Sequence, residues 1–453
     1  MNVKAVVLAG GKGTRMKSDM PKVLSSICGD SLINHVLKNL NEAGVSDIAV
    51  VTGYKSEEVE KNVGSNVLFY HQSEQLGTAH AVACAKNFFK DTDDAVMVLC
   101  GDAPLIDSET ITGLINYFNS NSLDLCVLSA LLPEGANYGR IVRQNGRFTK
   151  IVEKKDASFE ELSICEVNSG AMIFSSASLL DALEHILSSG TNNAQGEYYL
   201  TDSVEYLLGS GKNADAFVSP SPNAVMGAND RYELSLCEAA MRHEINKKLM
   251  LSGVTLIDPS CTYIDRSVQI DEGTVIYPGT IIKGCTQMGK NNIIYSSRIE
   301  GCQIGDGNTI DNCVIELSQI GNNTNLGPYT HIRKGTFLSD HTKVGSFSET
   351  KNTALGEGSK IPHLSYVGDA SVGKNVNFGC GCVTANYDGV NKHRTEVGDN
   401  SFIGCNVNLI APISVGNNTF IAAGSTVSRN VKDDTFVIER NKLREHEVKK
   451  LKK

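Results

Sequence analysis

The amino-acid sequence predicts two domains of different fold class: an α/β N-terminal domain with a Rossmann-like, mostly parallel sheet, and a C-terminal parallel β-helix. Three observations support this prediction. Residues 1 to 229 alternate short apolar runs with helical patterns, which is typical of a parallel sheet covered by helices on both faces. From residue 264 an aliphatic side chain recurs at every sixth position, a period that neither a helix nor an ordinary strand produces. A chain of 453 residues is also too long for one ordinary core.

The first half contains three near-continuous apolar blocks, Val3–Ala9, Asp47–Thr52 and Ala95–Cys100, which predict buried strands. Helical patterns cover Leu32–Glu42 and Ala79–Phe89. In a sheet of this kind ligands bind at the carboxyl ends of the strands. Polar residues that directly follow a predicted strand are therefore the first candidates for a site.

The two halves are joined by a predicted helical linker over residues 230–252, which is rich in good helix formers and ends at Gly253. The predicted domains are therefore 1–229 and 253–453. The last fourteen residues, from Arg440, hold seven Lys or Arg against two Glu and form a basic tail. A solvated tail without a specific role is the simpler interpretation of that charge.

The six-residue period of the second half is typical of a parallel β-helix, in which each flat side contributes one inward aliphatic residue. Glycine and asparagine accumulate there because tight corners need unusual backbone angles. Such a solenoid could serve only as a spacer or a trimerisation device, so a catalytic role has to be argued from specific residues. The recurring positions are Ile264, Ile270, Ile276, Ile282, Met288, Ile294, Ile304, Ile310, Ile320, Leu326, Ile332, Leu338, Val344, Leu355, Ile361, Val367, Ile403, Leu409, Val415, Ile421 and Val427.

Composition narrows the class of protein. A formal net charge of -9 argues against general binding to nucleic acid or to a membrane surface. Thirteen cysteines are scattered without C-x-x-C pairs, which predicts reduced thiols in a reducing compartment. The sequence runs directly into a strand without a signal peptide, and no apolar run approaches the ~20 residues of a membrane span. We therefore expect a cytoplasmic protein.

A glycine-rich loop follows the first strand, from Gly10 to Met16. It lacks the spacing of a Walker A loop, and Met16 occupies the place of the last glycine in a dinucleotide fingerprint. Its backbone N–H groups could still face phosphate oxygens, with Lys12, Arg15 and Lys22 supplying positive charge. A plain tight turn is the alternative interpretation.

Asp102 closes the apolar strand Ala95–Cys100, and a hard divalent cation is the natural partner of a carboxylate at that edge of the sheet. A helix cap or turn aspartate is the alternative.

The six-residue period of the second half is interrupted in three places: at Arg333 and Lys334, at residues 349–366, and at a loop over residues 379–396. Coils of about 18 residues would stack positions 333, 351 and 369 on one face. Two stacked cations, Arg333 and Lys351, repel each other unless an anion such as a sugar phosphate lies between them.

His363 is the only histidine of this cluster, and we predict that it is a general base, because an imidazole can accept a proton at neutral pH. An exposed histidine without a catalytic role is the alternative.

The stretch L-A-G-G-K-G-T-R-M with P-K shortly after it resembles the signature of sugar-1-phosphate nucleotidyltransferases. Further stretches are similar to the bacterial bifunctional N-acetylglucosamine-1-phosphate uridyltransferase/glucosamine-1-phosphate N-acetyltransferase family. The resemblance runs in order over nearly the whole chain and includes the β-helix. The matching stretches are residues 72–79, 101–105, 138–141, 151–153, 167–170, 197–202 and 227–231.

This resemblance implies a left-handed parallel β-helix of hexapeptide repeats and a Mg²⁺-dependent uridylyl transfer. In that reaction the sugar phosphate attacks the α-phosphorus of UTP in line and pyrophosphate leaves, without a protein nucleophile. Asp102 and Asn229 would hold the metal. The implied contacts to UTP and the sugar are Leu8, Ala9, Gly10, Gly11, Arg15 and Lys22 for the nucleotide, Gln72, Gly77 and Thr78 for the uracil, and Gly139, Glu153, Asn168 and Asn229 for the UDP-sugar.

For the second half the resemblance implies acetyl transfer from acetyl-CoA to glucosamine 1-phosphate, which precedes uridylylation in the synthesis of UDP-N-acetylglucosamine for the cell wall. It also implies a homotrimer that shares acetyl sites between subunits. His363 would be the base and Glu349 would orient it. The implied binding residues are Arg333, Lys351, Tyr366 and Asn377 for the amino-sugar phosphate, and Cys380, Asn386, Tyr387, Cys405, Ala423 and Arg440 for acetyl-CoA.

Two positions depart from the family pattern: Cys380 stands where alanine is common, and Cys405 where serine is common. A thiol donates a weaker hydrogen bond than a hydroxyl, and Cys405 also raises the alternative of an acyl-cysteine mechanism. Two other functions remain open at this point. One is a nucleotidyltransferase with a regulatory or oligomerising β-helix, and the other is a non-catalytic scaffold.

Overall fold

The computed structural model describes residues 2–91, 93–133, 138–191, 193, 196–440 and 443–445. The chain divides into two compact units, Met1–Met241 and Arg242–Lys453. A single helix, Arg231–Leu251, occupies the predicted linker. Most of the predicted basic tail lies outside the described residues. No helix in the described ranges combines the length and the apolar character needed to cross a membrane.

The first unit is built on a sheet of nine strands. The strands are β1 Val3–Ala9, β2 Asp47–Thr52, β3 Leu68–His71, β4 Ala95–Cys100, β5 Leu125–Leu131, β6 Arg140–Gln144, β7 Arg147–Val152, β8 Glu166–Ser175 and β9 Ala214–Val218. Their order in the sheet is β9-β5-β8-β4-β1-β2-β3, and β6 pairs with both β7 and β8. A two-stranded hairpin of Ser26–Ile27 and Asp30–Ser31 stands apart.

The sheet is parallel from β4 through β1 and β2 to β3, and β5 and β9 are also parallel. Strand β8 runs antiparallel to both β4 and β5, so the sheet is mixed around a parallel core. Along β1, Ala5 and Val7 pack in one core cluster and Val6 in another. Both faces of β1 are therefore covered, which explains its continuous apolar sequence.

The helices of the first unit agree with the sequence patterns, with one difference. The predicted helix Ala79–Phe89 is two helices that meet at Ala85, whose backbone leaves the helical conformation. Ser31 and Asp107 cap the helices Leu32–Glu42 and Ser108–Ser120 by accepting hydrogen bonds from backbone N–H groups. The helices are α1 Leu32–Glu42, α2 Ser56–Val63, α3 Thr78–Cys84, α4 Lys86–Phe89, α5 Ser108–Ser120, α6 Phe159–Leu162, α7 Ser176–Ser189, α8 Asp202–Gly209 and α9 Arg231–Leu251, with 3₁₀ turns at Thr14–Met16, Lys22–Leu24, Pro222–Val225 and Pro259–Cys261.

The second unit is a parallel β-helix with three faces, each a ladder of short parallel strands. The first face contains Thr255–Leu256, Val275–Ile276, Ile293–Tyr295, Thr309–Asp311, Asn325–Leu326, Lys343–Ser346, Lys360–His363, Asn377–Phe378, Phe402–Ile403, Phe420–Ile421 and Phe436–Val437. The second contains Tyr263–Ile264, Ile281–Lys283, Arg298–Glu300, Val314–Glu316, His331–Ile332, Glu349–Lys351, Tyr366–Gly368, Val383–Ala385, Asn408–Ile410 and Thr426–Val427. The third contains Gln269–Ile270, Gln287–Met288, Gln303–Ile304, Gln319–Ile320, Phe337–Leu338, Ala354–Leu355, Ala370–Val372, Thr395–Val397 and Ile413–Val415.

Every aliphatic position of the six-residue period lies in one continuous core, which confirms the predicted β-helix. The shifts of phase come from sides that are five residues long. Ile299 and Ile315 are buried between the predicted positions, and Thr350 fills the same role on a later coil. Coils are therefore 16, 17 or 18 residues long in most of the solenoid, a variation that alters which residues stack.

Candidate active sites

The glycine-rich loop leaves β1 in close contact with the neighbouring segments at Gly10. The carbonyl of Gly10 accepts a hydrogen bond from the N–H of Tyr54 at 3.1 Å. A Cβ atom added to Gly10 would lie 3.0 Å from Oε1 of Gln72, and one on Gly53 would lie 2.8 Å from the carbonyl oxygen of Gly10. The structure therefore brings Gln72, the candidate uracil contact, against the candidate phosphate loop.

The segment around Gly77 is fixed by its neighbours. Gln72 is buried, and its Nε2 donates to the carbonyl of Gly77 at 3.2 Å. Gly77 has a φ of 114°, and a Cβ there would lie 2.5 Å from the carbonyl oxygen of Tyr198. Thr78 accepts a hydrogen bond from the N–H of Leu200 at 2.9 Å. Only glycine fits at position 77, so the three candidate uracil residues are held in one rigid group.

Asp102 and Asn229 converge on the ammonium group of Lys22. The carboxylate of Asp102 contacts Nζ of Lys22, and Oδ1 of Asn229 accepts from Nζ at 3.1 Å. Arg15 also donates to Oδ1 of Asn229 at 3.1 Å. The N–H of Ala228 donates to the carbonyl of Asp102 at 3.2 Å, which ties the two segments together.

A carboxylate oxygen and an amide oxygen that meet at one cation are the hard donors that Mg²⁺ accepts in proteins. Among the described residues no group of three or more His, Cys, Asp and Glu side chains could hold a metal ion. Asp102 and Asn229 together with substrate phosphate oxygens fit such an ion, because magnesium is usually held by one or two protein carboxylates or amides and by phosphates.

Three of the candidate UDP-sugar residues, Gly139, Glu153 and Asn168, also lie together. The N–H of Asn168 donates to the carbonyl of Gly139 at 2.9 Å, and Oδ1 of Asn168 accepts from the N–H of Gly170 at 2.9 Å. A Cβ on Gly139 would lie 3.4 Å from Oε2 of Glu153. Burial raises the pKa of the Glu153 carboxyl, although a hydrogen bond from Thr201 at 3.5 Å opposes that change. Glu153 is thus a partly desolvated acceptor suited to sugar hydroxyl groups.

In the second unit, Arg333 and Lys351 occupy the same position on consecutive coils. Ile332 pairs with Thr350, and the N–H of Arg333 donates to the carbonyl of Thr350 at 2.9 Å. The expectation that residue 369 continues this stack is wrong, because Lys351 pairs with Gly368. That coil has 17 residues rather than 18, since one of its sides is a residue short.

Lys392 joins this pair of cations from the loop over residues 386–394. The pKa of Lys351 is lowered, first by contact with the ammonium group of Lys392 and also by the charge of Arg333. Lys392 was not among the predicted site residues, although its position in a loop extruded from a regular solenoid was a signal. Three cations at one place favour an anionic ligand.

Tyr366 and Asn386 lie beside the cations. Nδ2 of Asn386 donates to Oδ2 of Asp369 at 2.5 Å and to the hydroxyl of Tyr366 at 3.4 Å. The ring of Tyr366 covers Gly368, so position 368 has no room for a side chain. Asp369 therefore orients Asn386, a second contact that the sequence analysis missed.

His363 begins a vertical row of four residues, which we name the corner column: His363, Cys380, Cys405 and Ala423. Lys360 pairs with Asn377, Asn377 with Phe402, and Phe402 with Phe420, so the residues three positions later stack in the same order. Successive members are about 4.8 Å apart, the spacing of neighbouring strands. The predicted base and three of the predicted acetyl-CoA contacts thus lie along one edge of the β-helix.

The remaining candidates of the second site lie on the same stretch of the β-helix. Arg440 lies near the end of the column at Ala423, because a Cβ on the next residue, Gly424, would lie 3.7 Å from Cδ of Arg440. Asn377 is half-buried three residues before Cys380, and Tyr387 is exposed in the loop. Glu349 forms an ion pair with Arg333 at 2.8 Å. The carboxylate therefore holds a sugar-phosphate candidate, and its action on His363 stays a prediction.

Comparison with known proteins identifies both halves. Residues 5–197 match the MobA-like NTP transferase domain, and residues 394–429 match the bacterial transferase hexapeptide (six repeats) family. The chain is 45% identical over 438 residues to the bifunctional protein GlmU of Geobacillus sp. (strain WCH70), covering 96% of this chain and 95% of that protein. It is 44% identical over 444 residues to the bifunctional protein GlmU of Clostridioides difficile (strain 630), covering 98% and 96%. It is 45% identical over 441 residues to the bifunctional protein GlmU of Clostridium botulinum (strain 657 / Type Ba4), covering 97% and 96%.

Proposed function

Because the chain belongs to the GlmU family of bifunctional proteins, we propose that it catalyses the two transfers that its two units can carry out. The β-helix transfers acetyl from acetyl-CoA to glucosamine 1-phosphate. The α/β unit then transfers uridylyl from UTP to N-acetylglucosamine 1-phosphate and releases pyrophosphate. The observation that carries this proposal is the group of three cations, Arg333, Lys351 and Lys392, on the same stretch of β-helix as the corner column, because a spacer solenoid has no use for such a group.

Uridylyl transfer depends on positioning and charge. The family and its NTP transferase domain indicate a divalent metal cofactor, and we assign Mg²⁺ to Asp102 and Asn229. When bound, the ion would neutralise phosphate charge and orient the α-phosphate. Lys22 and Arg15 lie at the same place and offset charge on the leaving pyrophosphate. Glu153 orients the sugar.

Acetyl transfer requires a neutral amine. Arg333, Lys351 and Lys392 bind the phosphate of glucosamine 1-phosphate, which places the amine within reach of the corner column. His363 removes a proton from the ammonium, and the amine attacks the thioester carbonyl directly. The CoA thiolate leaves and takes up a proton. No acyl-cysteine is required, although the exposed thiol of Cys405 lies two coils above His363.

We also propose that the protein is a cytoplasmic homotrimer. The hexapeptide repeats favour an oligomer, and a trimer shares acetyl sites between subunits in the family that the sequence resembles. All thirteen cysteines are free thiols, as a reducing compartment favours.

Purified protein is incubated with Mg²⁺, UTP, acetyl-CoA and glucosamine 1-phosphate, while CoA thiol and pyrophosphate are followed separately. Both products should appear, and His363→Ala should abolish thiol release. With N-acetylglucosamine 1-phosphate supplied, His363→Ala should release pyrophosphate at the wild-type rate. If the wild-type protein releases pyrophosphate without any thiol, the remaining interpretation is a nucleotidyltransferase with a regulatory β-helix. If neither product appears, the remaining interpretation is a non-catalytic scaffold.

A further inference from the structure

Two exposed cysteines, Cys380 and Cys405, lie on consecutive coils of the corner column. The paired strands Asn377–Phe378 and Phe402–Ile403 set their register. Two backbone hydrogen bonds hold that register on either side, from Gly379 to Ile403 at 2.6 Å and from Asn406 to Cys380 at 2.8 Å. The two Cα atoms are therefore about one strand spacing apart, ~4.8 Å.

This separation lies within the range of roughly 4.4–6.8 Å over which two cysteines can be joined by a disulfide. Both side chains are exposed, so the thiols can rotate without leaving a packed core. The third sulfur nearby, Cys382, is buried, and its Sγ donates to the carbonyl of Gly404 at 3.0 Å. Burial raises the pKa of the Cys382 thiol to about 11, which leaves it a poor nucleophile.

Another exposed cysteine of the β-helix, Cys285, provides a contrast. Gln287 pairs with Gln303, so Cys285 stacks on Gly301 and meets no thiol on the next coil. Cys380 and Cys405 thus form a vicinal dithiol by virtue of the coil register, which sequence spacing alone does not show.

We propose that Cys380 and Cys405 are a redox modification site, at which a hydroperoxide forms a reversible disulfide that stops acetyl transfer and leaves uridylyl transfer active. One thiolate attacks the peroxide, which gives a sulfenic acid and, with hydrogen peroxide, one water. The second thiol attacks that sulfur, the S–S bond forms, and a second water leaves. A dithiol reductant returns two electrons and two protons. The effect on activity rests on the proposed function, because the corner column is the proposed path of acetyl-CoA.

The disulfide would form at the place where acetyl-CoA is proposed to bind. Cys380 is one coil from His363, and Cys405 lies between Cys380 and Ala423. A disulfide would draw these two side chains together and remove both thiols as contacts for acetyl-CoA. Misplacement of reacting groups by about 1 Å can cost roughly 100-fold in rate, so we expect the acetyl transfer rate to fall by about tenfold or more.

The experiment treats the reduced full-length protein with hydrogen peroxide, removes the oxidant, and digests one portion with trypsin under non-reducing conditions. Residues 375–392, which contain Cys380, and residues 395–429, which contain Cys405, should be recovered as one linked species. Fragmentation then decides between Cys380 and Cys382. Cys285→Ser should retain this species and Cys380→Ser should lose it.

A second portion is assayed for both products by mass spectrometry. Each rate is compared with that of the same protein before oxidation. On this scale acetyl transfer should be lost in the wild type and in Cys285→Ser and should return with dithiothreitol, whereas peroxide should not lower the rate of Cys380→Ser. Uridylyl transfer should not change. The proposal is overturned if no linked species forms, if the linked protein keeps full acetyl transfer, or if Cys380→Ser is inactivated equally. A reduced wild type without any acetyl transfer would instead refute the proposed function, while the peptide map still decides whether the bridge forms.

Discussion

At the scale of single residues, each candidate site contains a small number of charged side chains that meet at one point. Lys22 joins the carboxylate of Asp102 to the amide of Asn229, so three residues far apart in the sequence share one point. In the β-helix, Lys392 lies against Lys351, and Arg333 adds a third charge. In the α/β unit, a carboxylate and an amide that share one cation are suited to a metal ion. In the β-helix, three neighbouring cations are suited to an anion.

Replacement of Lys392 by methionine should weaken binding of the amino-sugar phosphate, because one of three phosphate-binding cations is removed. The KM for glucosamine 1-phosphate should rise about tenfold, which corresponds to roughly 1.4 kcal/mol. Lys374→Met, at an exposed lysine paired with Glu357, is the matched control and should not alter KM. Steady-state kinetics at low and high salt would measure both, and an unchanged KM in Lys392→Met would contradict the assignment.

Glu153 makes the stability of the protein depend on pH. Burial raises the pKa of this carboxyl in the folded state, so protonation of Glu153 favours folding. This contribution to the free energy of unfolding is fully present below the unfolded pKa of about 4.3 and is lost as the pH rises through the folded pKa. Glu153→Gln removes that loss. The variant should therefore melt at a higher temperature than the wild type at pH 7 and should bind N-acetylglucosamine 1-phosphate more weakly.

Thermal melts at pH 4 and pH 7 would check this prediction, and the difference in Tm between the two proteins should shrink at the lower pH. A Glu153→Gln variant that is less stable than the wild type at pH 7 would show that the carboxylate forms stabilising contacts that outweigh its burial.

At the scale of elements, each coil of the β-helix is fixed by inward aliphatic residues and outward variable ones. Ile332 is fully buried and pairs on both sides with other inward residues, whereas Ile293 on the first face points outward and is 37% exposed. Many corners carry asparagine or glycine in the left-handed region, and two candidate site positions, Cys380 and Cys405, directly precede such corners at Gly381 and Asn406. Residues of the core and residues of the candidate site therefore lie within a few positions of each other on the same coil.

Ile332→Ala should destabilise the β-helix by about 2–5 kcal/mol, because a cavity opens beneath Arg333. Acetyl transfer should be lost at a lower temperature than in the wild type, while uridylyl transfer keeps its temperature dependence. Ile293→Ala is the matched control and should have little effect. Activity measured after incubation at increasing temperature would distinguish the two, and equal loss of both activities in Ile332→Ala would contradict independent unfolding of the coils.

At the scale of the whole molecule, the two reactions depend on residues of separate compact units, Met1–Met241 and Arg242–Lys453. The product of the β-helix is the substrate of the α/β unit, and neither candidate site uses a described residue of the other unit. Each reaction can therefore fail alone.

An equimolar mixture of Asp102→Asn and His363→Ala proteins should restore formation of UDP-N-acetylglucosamine from glucosamine 1-phosphate, because N-acetylglucosamine 1-phosphate can diffuse between molecules. Each variant alone should form less than about a hundredth of the wild-type amount, the cost expected from loss of a metal ligand or a general base. Product would be measured by mass spectrometry, with Asp91→Asn, at an exposed aspartate, as the control. A mixture without product would show that one substitution damages both sites.

The sequence by itself determined the class of each half and the bounds of several elements. The six-residue period determines which residues of the β-helix point inward, independently of the rest of the chain. The strands Val3–Ala9 and Ala95–Cys100 are apolar because both of their faces are covered. The candidate metal ligands Asp102 and Asn229 and the candidate base His363 were also named from the sequence, through a carboxylate at a strand end, a cluster in an interrupted repeat and a family resemblance, and their roles stay predictions.

Only the tertiary structure decided which side chains meet. The sides of the solenoid are five or six residues long, and these differences in length add up along the chain. A side that is one residue shorter therefore moves the partner of Lys351 from position 369 to Gly368. An extruded loop returns Lys392 to the same place, and an ion pair assigns Glu349 to Arg333. The stack of Cys380 on Cys405 likewise spans 25 residues of chain that contain this loop. Local spacing fixes whether a side chain points inward or outward, whereas neighbours across coils depend on the summed length of everything between them.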